Sequence, residues 1–189
     1  MQCFAGYEAD EKPISIKVRA LIVDGRVKEY MVGSPHDVTE RVFVVRRAFR
    51  ANDSLPEDSA PKWQWQRGGW LLVDRVTGRI SAMNLPEFDG IYSTASWYRD
   101  YAAYCGVADD GKRVYAVVAQ LGRRKPVLKK QISDQIQDEG MMQSACAAPE
   151  WQRNPVRVSF EAGVGKQTFA VRGHVVDLVD DAEESEDSK

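Results

Sequence analysis

The stretch Ile14–Val32 reads ISIKVRALIVDGRVKEYMV, and it decides the fold class. Apolar residues stand at every second position from Ile14 to Ile22, and this period of two is typical of a β-strand. Asp24-Gly25 follows directly, and both residues tolerate a positive φ, so the pair predicts a tight turn into a second strand over 26–32. Gly33-Ser34-Pro35 is then expected to break this ribbon. The stretch therefore predicts an antiparallel β-hairpin.

The same alternation recurs along most of the chain. It predicts single strands over Val42–Arg50 and Val175–Val179. It also predicts three hairpins: Trp70–Met83 with its turn at Thr77-Gly78, Tyr101–Gln120 with its turn at Asp109–Gly111, and Val156–Arg172 with its turn at Gly163–Gly165. The returning strand Val114–Ala119 is apolar on both faces, which predicts a central position in its sheet.

Two segments carry a helical spacing instead. Ser93–Tyr104 suits a helix, although its end is equally consistent with a strand. Val127–Glu139 follows Pro126, has an apolar stripe at every fourth residue and predicts a short helix. The fold class expected is therefore mainly β: antiparallel hairpins forming a propeller-like or two-sheet sandwich or barrel assembly, with one or two short helices.

Composition and charge limit the function classes. The 189 residues are 43% hydrophobic and 29% charged, as in a globular domain, and no apolar stretch is long enough for a membrane span. Residues 180–189 include six acids and one lysine, so this segment carries −5 and residues 1–179 carry +3. We predict one β-rich domain over 1–179, with a solvated acidic tail after it. A body so close to neutral makes nucleic-acid binding unexpected, despite a basic run at 123–130.

Cysteine and histidine are too few and too scattered for a metal or cofactor site. Cys3, Cys105 and Cys146 include no CxxC pair, and His36 and His174 are the only histidines. The sequence also lacks HExxH and GxSxG motifs, so it nominates no catalytic residue, no metal ligand and no cofactor. It leaves open whether the chain is exported or cytosolic. If it is exported, Cys105 and Cys146 are the expected disulfide pair, since Cys3 lies near a terminus.

Tryptophan is the most informative residue type, because four of the five lie between Trp63 and Tyr104. Trp63 and Trp65 are two residues apart, so on a strand their rings project from the same face. Gly68-Gly69 would allow a backbone bend or the close approach of a ligand. The ligand-binding residues predicted are Trp63, Trp65 and Trp97 as stacking rings, with Arg67 and Arg99 as polar contacts. The alternative is that these rings fill the core between sheets.

Two stretches carry a family resemblance. The segment Tyr104–Ala116, YCGVADDGKRVYA, resembles the "SPDGKRIAF" repeat of TolB-type (PD40-like) β-propellers, with Ala108-Asp109 where that repeat has Ser-Pro. Trp70–Ile80 resembles the outer hairpin before such a repeat. The resemblance covers about residues 70–130 and implies a scaffold for binding, with no catalytic residues to carry over.

From these features the function predicted is a non-enzymatic β-rich binding or interaction module. Its partner would be a protein or a saccharide that the sequence does not identify. The alternative is a hydrolase acting on saccharide or peptide through Asp and Glu acid–base groups. Two carboxyl groups converging beside an exposed Trp63/Trp65 shelf would favour the hydrolase.

Overall fold

A computed structural model describes residues 15–23, 25–90, 92–108, 113–133, 146–162, 165–173 and 175–178. Within these ranges the chain forms thirteen strands and no helix, so the mainly β prediction is confirmed. None of the described segments is a helix that could cross a membrane. The predicted acidic tail, His174 and the turn at Asp109–Gly111 lie outside the described residues.

The thirteen strands form three sheets in chain order. The first sheet contains β1 (Val18–Val23), β2 (Arg26–Asp37), β3 (Val42–Asn52), β4 (Trp63–Asp74) and β5 (Ile80–Ala82). The second contains β6 (Ser96–Tyr98), β7 (Tyr101–Val107), β8 (Val114–Gln120) and β9 (Leu128–Ser133). The third contains β10 (Glu150–Arg153), β11 (Val156–Ala162), β12 (Gly165–Arg172) and β13 (Val175–Leu178). Every neighbouring pair is antiparallel, and none of the sheets closes into a barrel.

Both segments with helical spacing contain strands, so the prediction of one or two short helices is wrong for the residues described. Leu128–Ser133 pairs with β8 as β9, while residues 134–139 lie outside the described ranges. Within Ser93–Tyr104, residues 96–98 form β6 and β7 begins at Tyr101. The cause is strand pairing: β8 is buried along most of its length, and the strands before and after it in the chain satisfy its backbone hydrogen bonds.

The predicted break at Gly33-Ser34-Pro35 interrupts the pairing but does not end the strand: pairing with β1 ends at Val32, and none of these three residues has a partner in β3. Strand β2 runs through these residues to Asp37, with an irregular register between Val32 and His36. Gly33 has a φ of 81°, which a residue without a Cβ adopts freely. The irregularity lets a long strand continue where turn-forming residues alone would favour a loop.

The two central strands of the second sheet, β7 and β8, are buried on both faces. One face packs against the third sheet through Tyr101, Ala103, Cys105, Val114, Ala116 and Val118, which meet Val158, Phe160, Phe169 and Val171. The other packs against the connection between β5 and β6 and against β6 itself: Ala102, Tyr104, Val117 and Ala119 meet Leu85, Phe88 and Ala95 of the connection and Trp97 of β6. This arrangement explains why β7 and β8 are apolar at successive positions and not only at alternate ones.

A disulfide joins Cys105 of β7 to Cys146, which precedes β10, so the pairing expected for an exported chain is present. Their Cα atoms are 6.1 Å apart, within the range that a disulfide spans. The Tyr101 hydroxyl also donates to the Gly173 carbonyl at 2.5 Å, which ties the second sheet to the third.

The connection between β5 and β6 packs tightly on β7. The Tyr104 hydroxyl donates to the Pro86 carbonyl at 2.7 Å. A Cβ at Gly106 would lie 2.8 Å from the Cβ of Glu87 and 3.1 Å from its carbonyl oxygen, so this position requires glycine for close approach. The connection is thereby held in one place against the second sheet.

Candidate functional site

The pairing of β3 with β4 brings Trp63 and Trp65 onto one face of the first sheet. Trp65 pairs with Arg50, and Trp63 pairs with Asn52. Directly opposite residues in an antiparallel pair project from the same side, so Arg50 shares this face. Trp63 is 54% exposed and Trp65 is 36% exposed. Both indoles therefore lie at the surface, where the predicted stacking on a ligand is possible.

The exposed surface extends across the two neighbouring strands. The Tyr30 ring of β2 contacts the Trp65 ring edge-on, with their centroids 5.0 Å apart. In β1, Leu21 is buried in the core of the opposite face, so the next residue, Ile22, projects from the same face as Tyr30. Val27 pairs with Ile22 and shares its side.

We call this surface the tryptophan face and define it by Ile22, Val27, Tyr30, Arg50, Trp63, Trp65 and Arg67. Seven large apolar side chains are exposed in the described part of the chain, and five of them lie on this face. The other two, Leu55 and Val76, lie in connections between strands. The exposed apolar side chains therefore form one patch on one half of the first sheet, and such a patch is typical of an interaction site.

A bulge at Gly68-Gly69 divides β4 into an exposed half and a buried half. Arg46 pairs with Trp70 and Ala48 pairs with Arg67, so two glycines stand opposite the single residue between them. Residues 63–67 are all exposed, whereas Trp70, Leu71 and Val73 are buried. The two glycines thus provide the backbone bend that the sequence suggested.

The Arg50 guanidinium lies over both indoles. Its central carbon is 5.4 Å from the Trp63 ring centroid and 5.8 Å from the Trp65 ring centroid. Both distances are within the range of a cation–π contact, which holds the guanidinium against the rings. Arg67 is exposed on the same face, two residues after Trp65.

Sequence reasoning missed Arg46, the buried arginine beside the bulge. Its Nη2 donates to the Gly90 carbonyl at 2.6 Å and to the Ser93 carbonyl at 3.1 Å, and its Nε lies 3.5 Å from the Gly68 carbonyl. Burial, assisted by the charge of Arg67, lowers the pKa of Arg46 to about 10, so it stays protonated at neutral pH. Arg46 joins the bulge to the connection that packs on the second sheet. The only sequence signal was an adjacent arginine pair inside an apolar strand.

Trp97 and Arg99, the other two predicted ligand-binding residues, lie in a different place. The Trp97 ring contacts Trp70 at 5.2 Å and stacks on His36 at 5.8 Å, between the first and second sheets. Arg99 lies over the Tyr98 ring at 5.3 Å, and its carbonyl accepts a hydrogen bond from His36 Nε2 at 2.8 Å. The structure therefore brings Trp63, Trp65 and Arg67 together and uses Trp97 mainly for packing between sheets.

Trp97 also lines a cleft of about 220 Å³ between these sheets. Leu72, Met83 and Leu85 line one side, and Ala119 and Arg123 line the other. Ligand pockets for drug-sized molecules usually exceed about 300 Å³. The cleft is smaller than that and lies on a different part of the molecule from the exposed indoles.

The carboxyl groups with clearly shifted pKa values, Asp74 and Asp58, are members of ion pairs. Hydrogen bonding to Arg41 holds the pKa of Asp74 well below its usual range, and hydrogen bonding to Lys62 lowers the pKa of Asp58. A general acid in a glycosidase needs the opposite shift, a raised pKa. Among the described residues, no group of three His, Cys, Asp or Glu side chains could hold a metal ion.

Comparison with known proteins adds no relative. No protein-family model matches the chain, and no curated protein or solved structure does so either. The function proposed below therefore depends on the geometry of the described residues.

Proposed function

We propose that this chain is a non-enzymatic β-rich binding module and that its tryptophan face docks onto another protein. The observation that carries the proposal is the grouping of five of the seven exposed large apolar side chains on this face, counted over the described residues. Trp, Tyr and Arg are the residue types that dominate binding energy in protein interfaces. The tryptophan face presents two tryptophans, one tyrosine and two arginines.

The energy available on docking is substantial. A tryptophan side chain offers up to about 250 Å² of surface, so the exposed half of Trp63 amounts to roughly 120 Å². At about 25 cal/mol per Å², covering it would contribute at most about 3 kcal/mol before the costs of association. Trp65 and Tyr30 add smaller amounts, because each is less exposed.

A saccharide is the less favoured ligand for this surface. Sugars bind to tryptophan by stacking on the ring face, and Arg50 already lies over the faces of both indoles. A sugar would have to displace the guanidinium, whereas a protein partner can cover rings and arginine together. The open sheet face also suits a macromolecule better than a small molecule, which usually binds in a concave site.

We further propose that the three sheets are propeller-like blades that present this face, in keeping with the TolB-type resemblance. Three features support the proposal. Each sheet is a meander of strands in chain order, and the second and third sheets pack through apolar faces, while Trp70 of the first sheet contacts Trp97 of the second. The two hairpins that carry the resemblance are β4–β5 and β7–β8.

The binding proposal is tested by probing peptide, protein and glycan arrays with the full chain. The variant is Trp63→Ser with Trp65→Ser, and the matched control is Val76→Ser, because Val76 is 75% exposed but lies outside the tryptophan face. We expect wild type and control to bind the same protein or peptide spots, and the double variant to lose about tenfold or more of the signal. All three proteins should show the same strand-type circular dichroism.

Retention of the array signal by the double variant would overturn the proposal. Binding confined to glycan spots, with loss of that binding in the double variant, would also overturn it and would identify the ligand of this face as a saccharide.

A further inference from the structure

The charge of the tryptophan face identifies the chemistry of its partner, an inference that rests on the proposed function. We infer that the partner contributes an acidic polypeptide segment in extended conformation, in which Asp or Glu alternates with apolar side chains. Three features support this inference: charge complementarity, the contacts that hold Arg50, and the spacing of the exposed side chains.

The charged side chains that project from the face are cations. Arg50 and Arg67 project from it, and Arg26 and Lys28 lie at the β1–β2 hairpin, beside Val27. Within the described part of the chain, no carboxylate forms an ion pair with any of these four. On the opposite face of the same sheet, Arg47 pairs with Glu29 at 2.9 Å. Among the described residues, the sheet therefore neutralises Arg47 on one face and leaves Arg50 and Arg67 without a counter-charge on the other, with Arg26 and Lys28 unpaired at the edge hairpin.

Arg50 is held in place before a partner arrives. Its guanidinium lies against two indoles, which limits the rotamers it can adopt and lowers the entropy lost on binding. The described residues provide no hydrogen-bond acceptor for its N–H groups. A planar guanidinium with free donors matches a carboxylate through two parallel hydrogen bonds.

The spacing of the face matches an extended chain. Trp63, Trp65 and Arg67 follow one another at every second residue of β4, at intervals of about 7 Å. Side chains on one side of an extended partner segment repeat at the same interval. Such a segment can place an apolar side chain against an indole and a carboxylate at the next arginine.

A nucleic acid uses cations and aromatic rings differently. Bases stack on free ring faces along a basic groove, but Arg50 occupies one face of each tryptophan. The chain also carries a net charge of −2, which gives no general attraction for a polyanion. An acidic peptide needs only the local charge of this face.

The test is a selection of dodecamer peptides from a random display library against the full chain, followed by affinity measurements on the selected peptides. We expect them to be enriched in Asp and Glu and to bind less tightly as sodium chloride is raised. Arg50→Gln with Arg67→Gln should weaken their binding about tenfold or more. Arg47→Gln, on the opposite face, is the matched control and should leave binding within about twofold, because its charge is already paired.

Oligothymidine and vesicles of phosphatidylcholine with one third phosphatidylserine are measured alongside. Tighter binding of either probe than of every selected peptide would overturn the inference. Neutral or basic selected peptides whose binding still requires Trp63 and Trp65 would also overturn it, while leaving the binding function intact. Selected peptides that bind the double tryptophan variant as well as wild type would instead refute the proposed function.

Discussion

Replacing Arg46 by methionine tests how the first sheet is joined to the rest of the molecule. The variant keeps the aliphatic bulk but removes donors to two close carbonyls, at 2.6 and 3.1 Å, and one distant carbonyl at 3.5 Å. Hydrogen bonds from a charged donor contribute about 1.5–3 kcal/mol each, and part of this is offset because a buried charge is also removed. We expect the free energy of unfolding to fall by about 3 kcal/mol.

Thermal and urea unfolding followed by circular dichroism measure this loss. For a domain of this size, about 3 kcal/mol corresponds to a fall in Tm of about 6–12 °C. Arg47→Met is the matched control, since Arg47 is the next residue on the same strand, its side chain is 45% exposed, and it forms a surface ion pair with Glu29. The control should lose about 1 kcal/mol or less. Equal losses in the two variants would refute the assigned role of Arg46.

Three further predictions concern the second sheet. Reduction of Cys105–Cys146 opens a loop of 41 residues and should lower the free energy of unfolding by about 4 kcal/mol, measured in urea with and without reductant. Alkylation of three thiols in unreduced protein from an oxidising compartment would contradict the bond. Gly106→Ala should lower the free energy of unfolding by about 1–3 kcal/mol, because the added Cβ has no room. Gly69→Ala, where nothing lies within 4 Å of the added Cβ, should lower it by under about 0.5 kcal/mol, and equal urea midpoints for the two variants would contradict this prediction. Burial raises the pKa of Tyr104, so the unfolded chain releases that proton first and stability should fall as pH rises above about 10. Tyr104→Phe should show a shallower fall in urea midpoint over that range, and an identical fall would exclude Tyr104 as its source.

The hairpins were predictable because their information is local. Trp70–Met83 and Tyr101–Gln120 each combine alternating side chains with a turn sequence, and both form the expected antiparallel pairs. The error at Val127–Glu139 has the opposite origin. An apolar residue at every fourth position favours a helix locally, but residues 128–133 complete the hydrogen bonding of β8, the preceding strand, which lies outside that segment. No window within that segment contains this information.

The candidate site was predictable only in part, for a related reason. A period of two places Trp63 and Trp65 on one side of a strand, whichever side that is. Whether a side is covered depends on what packs against it, and here Trp97 of β6 packs against Trp70, which is buried, whereas Trp65 stays exposed. Trp97 has the same composition signal as the other two tryptophans, yet it contacts Trp70 in the space between sheets.

The bulge at Gly68-Gly69 explains why one face of β4 carries both the exposed Trp65 and the buried Trp70. Counting by twos, Trp65 and Trp70 are an odd number of residues apart and would project from opposite sides of a regular strand. The extra residue corrects this parity, so Trp65 pairs with Arg50 and Trp70 with Arg46 on the same side of β3. A chain with one residue fewer there would turn Trp63, Trp65 and Arg67 to the opposite face, toward Arg47 and Glu29. The coincidence of exposed rings with unpaired arginines is therefore a product of this one inserted residue, and Arg46 secures it by binding the Gly68 carbonyl beside the buried connection.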